Sequence, residues 1–263
     1  MVGIFGGSGF YQLIEGMHLR TVDTPYGEPS GQFALGEVEG VPVAFLPRHG
    51  VKHNLPPAAI NYRANLWAMR ELGVERIIAP TAAGSLQSHV HPGDLVICDQ
   101  LVDRTMGRRD TFYPEGPSVV HVSLADPYCS ELRQLGIDLG HELELPVIDR
   151  GTAVVIQGPR FSTRAESRWF SSHGWEVIGM TQYPEVALAR ELELCYMNIS
   201  LITDYDAGVE GEPGSAVSVA EVEKVFVDNL ERLRRMILRM IPRIPSGRGC
   251  ACSKALQEAV VSG

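Results

Sequence analysis

Short apolar runs alternate with amphipathic stretches along most of the chain. VGIF (2–5) enters a glycine turn, and QFALGEVEG with VPVAFLP (31–47) reads as a hairpin turned at Glu39-Gly40. Further strand-like runs are RIIAPTAAGS (76–85), DLVICDQLV (94–102), GTAVVIQGP (151–159), WEVIGM (175–180) and CYMNISLIT (195–203). Between them, apolar positions recur at helical spacing over 57–72, 127–143, 163–173 and 184–193, and a long amphipathic segment covers 217–241. This alternation predicts an α/β fold, a single domain with a mixed central β-sheet flanked by helices. No repeat or composition shift marks an internal boundary. The expected organisation is one domain over 1–245 and a short C-terminal extension, 246–263, entered through PRIPSGRG.

Ligands of open α/β sheets gather outside the carboxyl ends of the strands. Here those ends read GGSG, RHG, TAAGS, QGPRFS, MTQ and TDYD, a concentration of polar and glycine-rich exits that scaffolding alone does not need. Charge narrows the possible ligands. A formal net charge of −9 argues against a broad nucleic-acid or membrane surface, so an anionic ligand must be met by a local basic cluster. LPRHGVKHN (46–54) supplies one, with Arg48, His49, Lys52 and His53; taken alone it also fits a solvated charged loop. Ser8, Arg48, His49, Thr81 and Thr181 together make a phosphate cradle of hydroxyls, guanidinium and imidazole. The N-terminus lacks the basic and apolar regions of a signal peptide, and no apolar run approaches a bilayer span, which points to a cytoplasmic protein.

Several chemistries lose ground. GIFGGSGF carries Gln12 where a dinucleotide fingerprint needs its third glycine, and no Gly-Lys-Ser/Thr follows. There is no H-E-x-x-H, C-x-x-C or G-x-S-x-G, so neither a metal nor a hydrolase elbow is expected. The five cysteines are scattered and odd in number; Cys250 and Cys252, one residue apart, read as free thiols on a mobile tail or as a redox or stapling pair.

TDYD carries the sharpest chemical signal. Residues two apart in an extended segment face the same side, so Asp204 and Asp206 converge on one ligand edge, unless the segment is merely an exposed acidic loop. Adenine offers an acceptor, N7, beside a donor, N6. Burial and a neighbouring negative charge raise a carboxyl pKa, so a close pair can hold one proton, donating to N7 and accepting from N6. Phe161, just ahead of a helix, is either core or a platform for a flat heterocycle.

GIFGGSG, DTPYGEPS, RHGVKH, NYRANLWAMRELG, PTAAGSL, PGDLVICDQLVDRT, GPRFSTRAES, MTQYPEVALARELELCY and TDYD, from residue 3 to about 241, resemble the methylthioadenosine phosphorylases of the trimeric purine nucleoside phosphorylase superfamily. The resemblance implies phosphorolysis of 5′-methylthioadenosine to adenine and 5-methylthioribose 1-phosphate, with orthophosphate as a substrate and no metal or organic cofactor. It places phosphate on Ser8, Arg48, His49, Thr81, Ala82 and Thr181, the ribose against Met180 and the base against Phe161. It makes Asp204 and Asp206 the catalytic pair. His121 matches a histidine that a neighbouring subunit contributes to the 5′ pocket, which implies a homotrimer or a dimer of trimers.

Relatives that cleave 6-oxopurine nucleosides carry glutamate at Ser162, asparagine at Asp204 and often histidine at Val219; this chain departs at all three toward adenine and a thioether. Gln182 and Tyr183 stand where smaller residues are usual, so the site floor is expected to differ, and AGVEGEPGS (207–215) is long enough to act as a lid. The tail cysteines are similar to a paired ending in some thermostable microbial relatives. Competing readings are a broader purine nucleoside phosphorylase acting on adenosine, inosine, guanosine or methylthioinosine, and a nucleoside-binding regulatory protein. A nicotinamide-dependent dehydrogenase fails on the missing glycine.

Overall fold

The computed structural model describes residues 1–6, 17–114, 118–209, 216–257 and 259–262. The strands are β1 (Val2–Gly6), β2 (His18–Arg20), β3 (Phe33–Val38), β4 (Val41–Pro47), β5 (Arg76–Ser85), β6 (Leu95–Val96), β7 (Gln100–Arg104), β8 (Ser118–Val120), β9 (Val147–Ile148), β10 (Thr152–Ile156), β11 (Val177–Gly179), β12 (Cys195–Tyr205) and β13 (Val260–Ser262). The helices are α1 (Tyr62–Glu71), α2 (Ser130–Glu142), α3 (Arg164–Ser171), α4 (Gln182–Glu191) and α5 (Val219–Met240). Among the described residues, eleven strands form one mixed sheet with the spine β2-β3-β4-β1-β5-β11-β10-β7; β12 also joins β5 and carries β6 and β9.

The centre of the sheet is parallel: β1 pairs with β4 and β5, and β12 runs beside β5 from Cys195↔Arg76 to Tyr205↔Ser85. Both faces of these strands are covered, which is why their sequences are continuously apolar. Neighbouring residues send side chains to opposite faces. Phe5, Leu46 and Ile77 join Leu66, Met69 and Leu188, while Ile4, Phe45 and Ile78 join Leu132, Leu139, Leu233 and Ile237.

The β3–β4 hairpin turns where expected, with both Glu39 (φ 49°) and Gly40 (φ 79°) left-handed, as a two-residue turn demands. The run at 94–102 is not one strand. It divides into β6, which pairs with β12 and β9, and β7, which pairs with β10. Asp99, between them, accepts from the Gly151 amide at 2.9 Å and holds the bend. The sheet is mixed because β2–β3, β3–β4, β11–β5 and β12–β6 pair antiparallel.

The extension is no loose tail. Cys250 and Cys252 are buried in the second core cluster, correcting the expectation of thiols on a mobile segment, and β13 then pairs antiparallel with β8. Among the described residues no helix is long and apolar enough to cross a membrane.

Helix α2 lies close on the sheet because Gly136 and Gly140 face it. A Cβ at Gly140 overlaps the branched Val147 Cγ2, whereas one at Gly136 overlaps the flexible terminal methyl of Met197 and makes ordinary contact with Met197 Sδ and Ile97 Cδ1. Overpacking costs about 1–3 kcal/mol against a helix-propensity gain of about 1 kcal/mol for alanine. Gly140→Ala is therefore expected to be destabilised in urea melts, with Gly136→Ala at or above the wild type; the reverse ranking overturns this account.

Candidate active site

A cavity of about 800 Å³ opens where the strands end and α5 begins. Its lining includes Arg48 and His49 just past β4, Thr81 and Ala82 on β5, and Met180 and Thr181 between β11 and α4. Phe161 and Ser162 ahead of α3, Asp204 and Asp206 at the end of β12, and Val219 at the start of α5 complete the set. The structure thus brings together the residues expected to bind phosphate and nucleoside except two, and Lys52 of the basic cluster does not line the cavity either. Ser8 lies outside the described residues. His121 follows β8, is exposed and does not line this cavity; its amide donates to Ala259 O at 2.8 Å.

Arg48 is buried, and so is its partner, Glu185, which sits on α4 with no exposed surface. Nε donates to Glu185 Oε1 at 2.5 Å and an Nη to Oε2 at 3.0 Å, while the other Nη donates to Pro80 O at 3.2 Å. Tyr196 on β12 donates its hydroxyl to the same carboxylate at 2.7 Å. Burial opposes the charge on Arg48, but Glu185 outweighs it and holds the guanidinium protonated. Five N–H donors minus these three leave one on each terminal nitrogen, a fork suited to two oxygens of a tetrahedral anion.

His49 is the neutral partner. Its Nδ1 lies 2.9 Å from Leu55 O, so the ring is the Nδ1–H tautomer and Nε2 is an acceptor. Burial pushes its pKa down to about 4; Leu55 O opposes the shift, and the Arg48 charge and stacked His53 add to it.

Thr81 is set from behind by a polar chain through the core. Asn198 donates to Thr81 Oγ1 at 3.1 Å, Ser200 Oγ lies 3.3 Å from the same atom, and Gln182 donates to Ser200 at 3.2 Å. Tyr128 donates to Gln182. Gln182 and Tyr183, expected to alter the floor, instead act from outside the cavity: Gln182 through this chain, Tyr183 by donating to Asp110 at 2.5 Å. The Thr181 hydroxyl does not cap α4.

Asp204 and Asp206 owe their placement to a bulge. The β12–β5 register runs Ile202↔Ala83 and then Asp204↔Gly84, leaving Thr203 as the extra residue. Thr203 donates to Asp204 Oδ1 at 2.7 Å. Burial raises the Asp204 pKa; the Thr203 bond opposes the shift and the Asp206 charge adds to it. Asp206 is raised by burial too, but Ser162, Ser167 and the Ala207 amide all bond to it in the opposite sense. Among the described hydrogen bonds none links the two carboxylates, so each is held by its own donors.

The remaining wall comes from α5. Val219, Val222 and Phe226 face the cavity at i, i+3 and i+7, with Glu223 beside them. Only Val219 stood out in the sequence; the helical period was the signal for the other two. Glu185 was also missed, although an acid inside the apolar stretch YPEVALA invited the argument applied to TDYD. Residues 210–215 of the expected lid lie outside the described residues.

Residues 1–242 match the model of the Phosphorylase superfamily. The chain is 52% identical over 260 residues to the S-methyl-5′-thioadenosine phosphorylase of Pyrococcus horikoshii, covering 99% of each. It is 50% identical over 264 residues to the purine nucleoside phosphorylase of Streptomyces coelicolor, covering 97% of this chain and 94% of that one. A methylthioadenosine phosphorylase from Schistosoma mansoni in complex with adenine superposes with a TM-score of 0.91 at 37% identity, covering 97% of this chain and 96% of that one. The chain belongs to the phosphorylase superfamily. It is an enzyme of the pentosyltransferase class, a nucleoside phosphorylase, as the sequence motifs implied.

Two outcomes follow from this geometry. Glu185→Gln leaves the buried Arg48 charge without its anion and is expected to cost about 3–5 kcal/mol in denaturant unfolding; a loss below 1 kcal/mol would remove the pair as a structural anchor. The His49 folded pKa, about 4, lies below the ordinary imidazole value of 6.5. Its contribution to stability is thus fully present above about 6.5 and lost as pH falls through about 4. NMR titration of the imidazole should show a midpoint near 4, and one near 6.5 contradicts the assignment.

Proposed function

We propose that the enzyme splits 5′-methylthioadenosine with orthophosphate, releasing adenine and 5-methylthioribose 1-phosphate. The observation that carries this reading is one cavity holding a paired carboxylate, an arginine fork and an apolar helix face together. Phosphate binds the two remaining N–H groups of Arg48, the hydroxyls of Thr81 and Thr181, the Ala82 backbone and Ser8. Neutral His49 accepts the single O–H of hydrogen phosphate through Nε2, leaving the other oxygens to face the anomeric carbon.

The C1′–N9 bond breaks with oxocarbenium character, its electron pair passing to the purine, while the phosphate oxygen bonds C1′ from the opposite face. Asp204, whose raised pKa favours the protonated form, donates to N7. Asp206 uses its remaining lone pair to accept from N6. The proton that hydrogen phosphate gives up balances the proton carried away by adenine, and no metal or organic cofactor enters the reaction. Phe161 stacks on the base, Met180 supports the ribose, and Val219, Val222 and Phe226 receive the methylthio group. Ser162, spent on Asp206, leaves no glutamate to bind a protonated N1. His121 serves the 5′ pocket of a neighbouring subunit in a trimer or a dimer of trimers.

A second reading, phosphorolysis of adenosine, is favoured by Glu223, a polar group on the same wall able to accept from a 5′-hydroxyl.

Free-base release from the purified enzyme, with and without phosphate, should be fastest from methylthioadenosine, slower from adenosine and negligible from inosine. Preferred hypoxanthine release overturns the purine assignment. Asp204→Asn should fold normally but lose about 10²-fold or more in kcat on methylthioadenosine, the scale of a lost general acid; unchanged turnover removes Asp204 from the mechanism.

A further inference from the structure

The fold gathers four cysteines that are far apart in sequence. Cys129 is the N-cap of α2, Cys195 opens β12, and Cys250 and Cys252 lie on the C-terminal extension. All four are buried, and their sulfurs lie within 4.8 Å of one another. Cys195 Sγ and Cys250 Sγ are 3.4 Å apart. None of the four lines the cavity, and the fifth cysteine, Cys98, is elsewhere, 3.6 Å from Ser200 Oγ.

Pairwise bonding of four thiols needs two short separations; in this cluster every separation is short. That spacing lets all four sulfurs reach one central ion. At a zinc–sulfur distance of about 2.3 Å a tetrahedral site has sulfur–sulfur edges of about 3.8 Å, inside the range found here.

The surroundings fit the same use. The Leu132 amide at the first turn of α2 bonds to the Cys129 sulfur, a contact that favours a thiolate. The backbone leading to the tail pair is fixed. Gly249 N–H donates to Glu131 Oε1 at 2.7 Å, Arg76 bridges Glu131 and Gly247 O, and Arg248 donates to Glu193 O at 2.6 Å. Arg76 and Arg190 are both near enough to act electrostatically on the sulfurs.

We propose that Cys129, Cys195, Cys250 and Cys252 form a closed tetrathiolate site for one Zn²⁺, which clamps the C-terminal extension onto α2 and β12. Four S–H bonds give their protons to solvent as four Zn–S bonds form; no electron is exchanged, and the site carries a charge of −2 that Arg190 offsets in part, Arg76 being already paired with Glu131. All four positions are filled by protein, so the metal is structural. The C-x-C spacing of the tail hid the site from motif reading, because the other two ligands come from the folded core. Beyond the clamp the chain runs to β13, and Ala259 O receives the His121 amide, so the site also fixes the backbone that presents His121. The metal assignment is independent of the proposed substrate.

The test is metal analysis of the full chain, purified under reductant without a metal-affinity step from zinc-supplied cells. One zinc per chain is expected, with all five cysteines titrating as thiols after denaturation in chelator. A mercurial added to the native protein should release the zinc stoichiometrically, and cobalt substitution should give the absorption of a tetrahedral thiolate centre. Cys252→Ser should lose the zinc while Cys98→Ser keeps it. Reduced, folded protein that neither contains nor takes up zinc overturns the proposal. So does zinc retained by Cys252→Ser, one equivalent of iron in its place, or a chain isolated without reductant that shows a single titratable thiol, which would assign the cluster to two disulfides. The wild-type measurements decide the matter even where a variant fails to fold.

Discussion

The buried pair of Arg48 and Glu185 is the contact on which the site and much of the fold converge. Neither charge tolerates burial alone. Arg48 follows β4, Glu185 belongs to α4, Tyr196 comes from β12, and the Pro80 carbonyl comes from β5. One ion pair therefore locks three parallel strands and a helix into a single geometry. It also determines what Arg48 has left to offer. With three donors committed internally, one remains on each terminal nitrogen, so under the proposed function scaffold and phosphate share one guanidinium.

The two aspartates look equivalent in the sequence and are not equivalent in the structure. Asp206 accepts from Ser162, Ser167 and a backbone amide, which favours its ionised form and ties it to α3. Asp204 has Thr203 alone to oppose its burial. The carboxyl with fewer stabilising donors is the better proton donor, and the one with more is the better fixed acceptor. The bulge at Thr203 produces this division by shifting the register one residue, so that Asp204 rather than Thr203 pairs with Gly84. A strand continued without it would send Asp204 to the other face.

The fold class was legible because the central strands are buried on both faces and the helices on one, and these leave different periods in the sequence. RIIAPTAAGS reads as β5 residue for residue, yet 94–102 reads as one strand when it is two, since a bend held by the side chain of Asp99 leaves no mark on hydrophobicity. The short strands β8, β9 and β13 were illegible for a similar reason: two or three residues carry no period. Residues at strand exits were found because polar groups there have no structural reason to cluster. What stayed hidden acts across sequence distance. Glu185 lies 137 residues from Arg48, and the thiols of Cys129 and Cys195 meet Cys250 and Cys252 only after α2, β12 and the extension have packed.

The extension shows how a segment with few residues can matter to a site it does not touch. Ile244, Cys250 and Cys252 join the core cluster under α2 and α5, and β13 then crosses to β8. A two-stranded ribbon is marginal by itself, so β8 depends on β13, and β13 depends on whatever holds the preceding residues in place. Arg76 and Glu131 grip the extension through Gly247 and Gly249, and Glu193 accepts from the Leu256 amide at 3.2 Å. The segment bearing His121 is thus supported from the far end of the chain. Under the role proposed for His121 at a neighbouring subunit's pocket, such support limits the ordering entropy that a flexible donor would lose on contact.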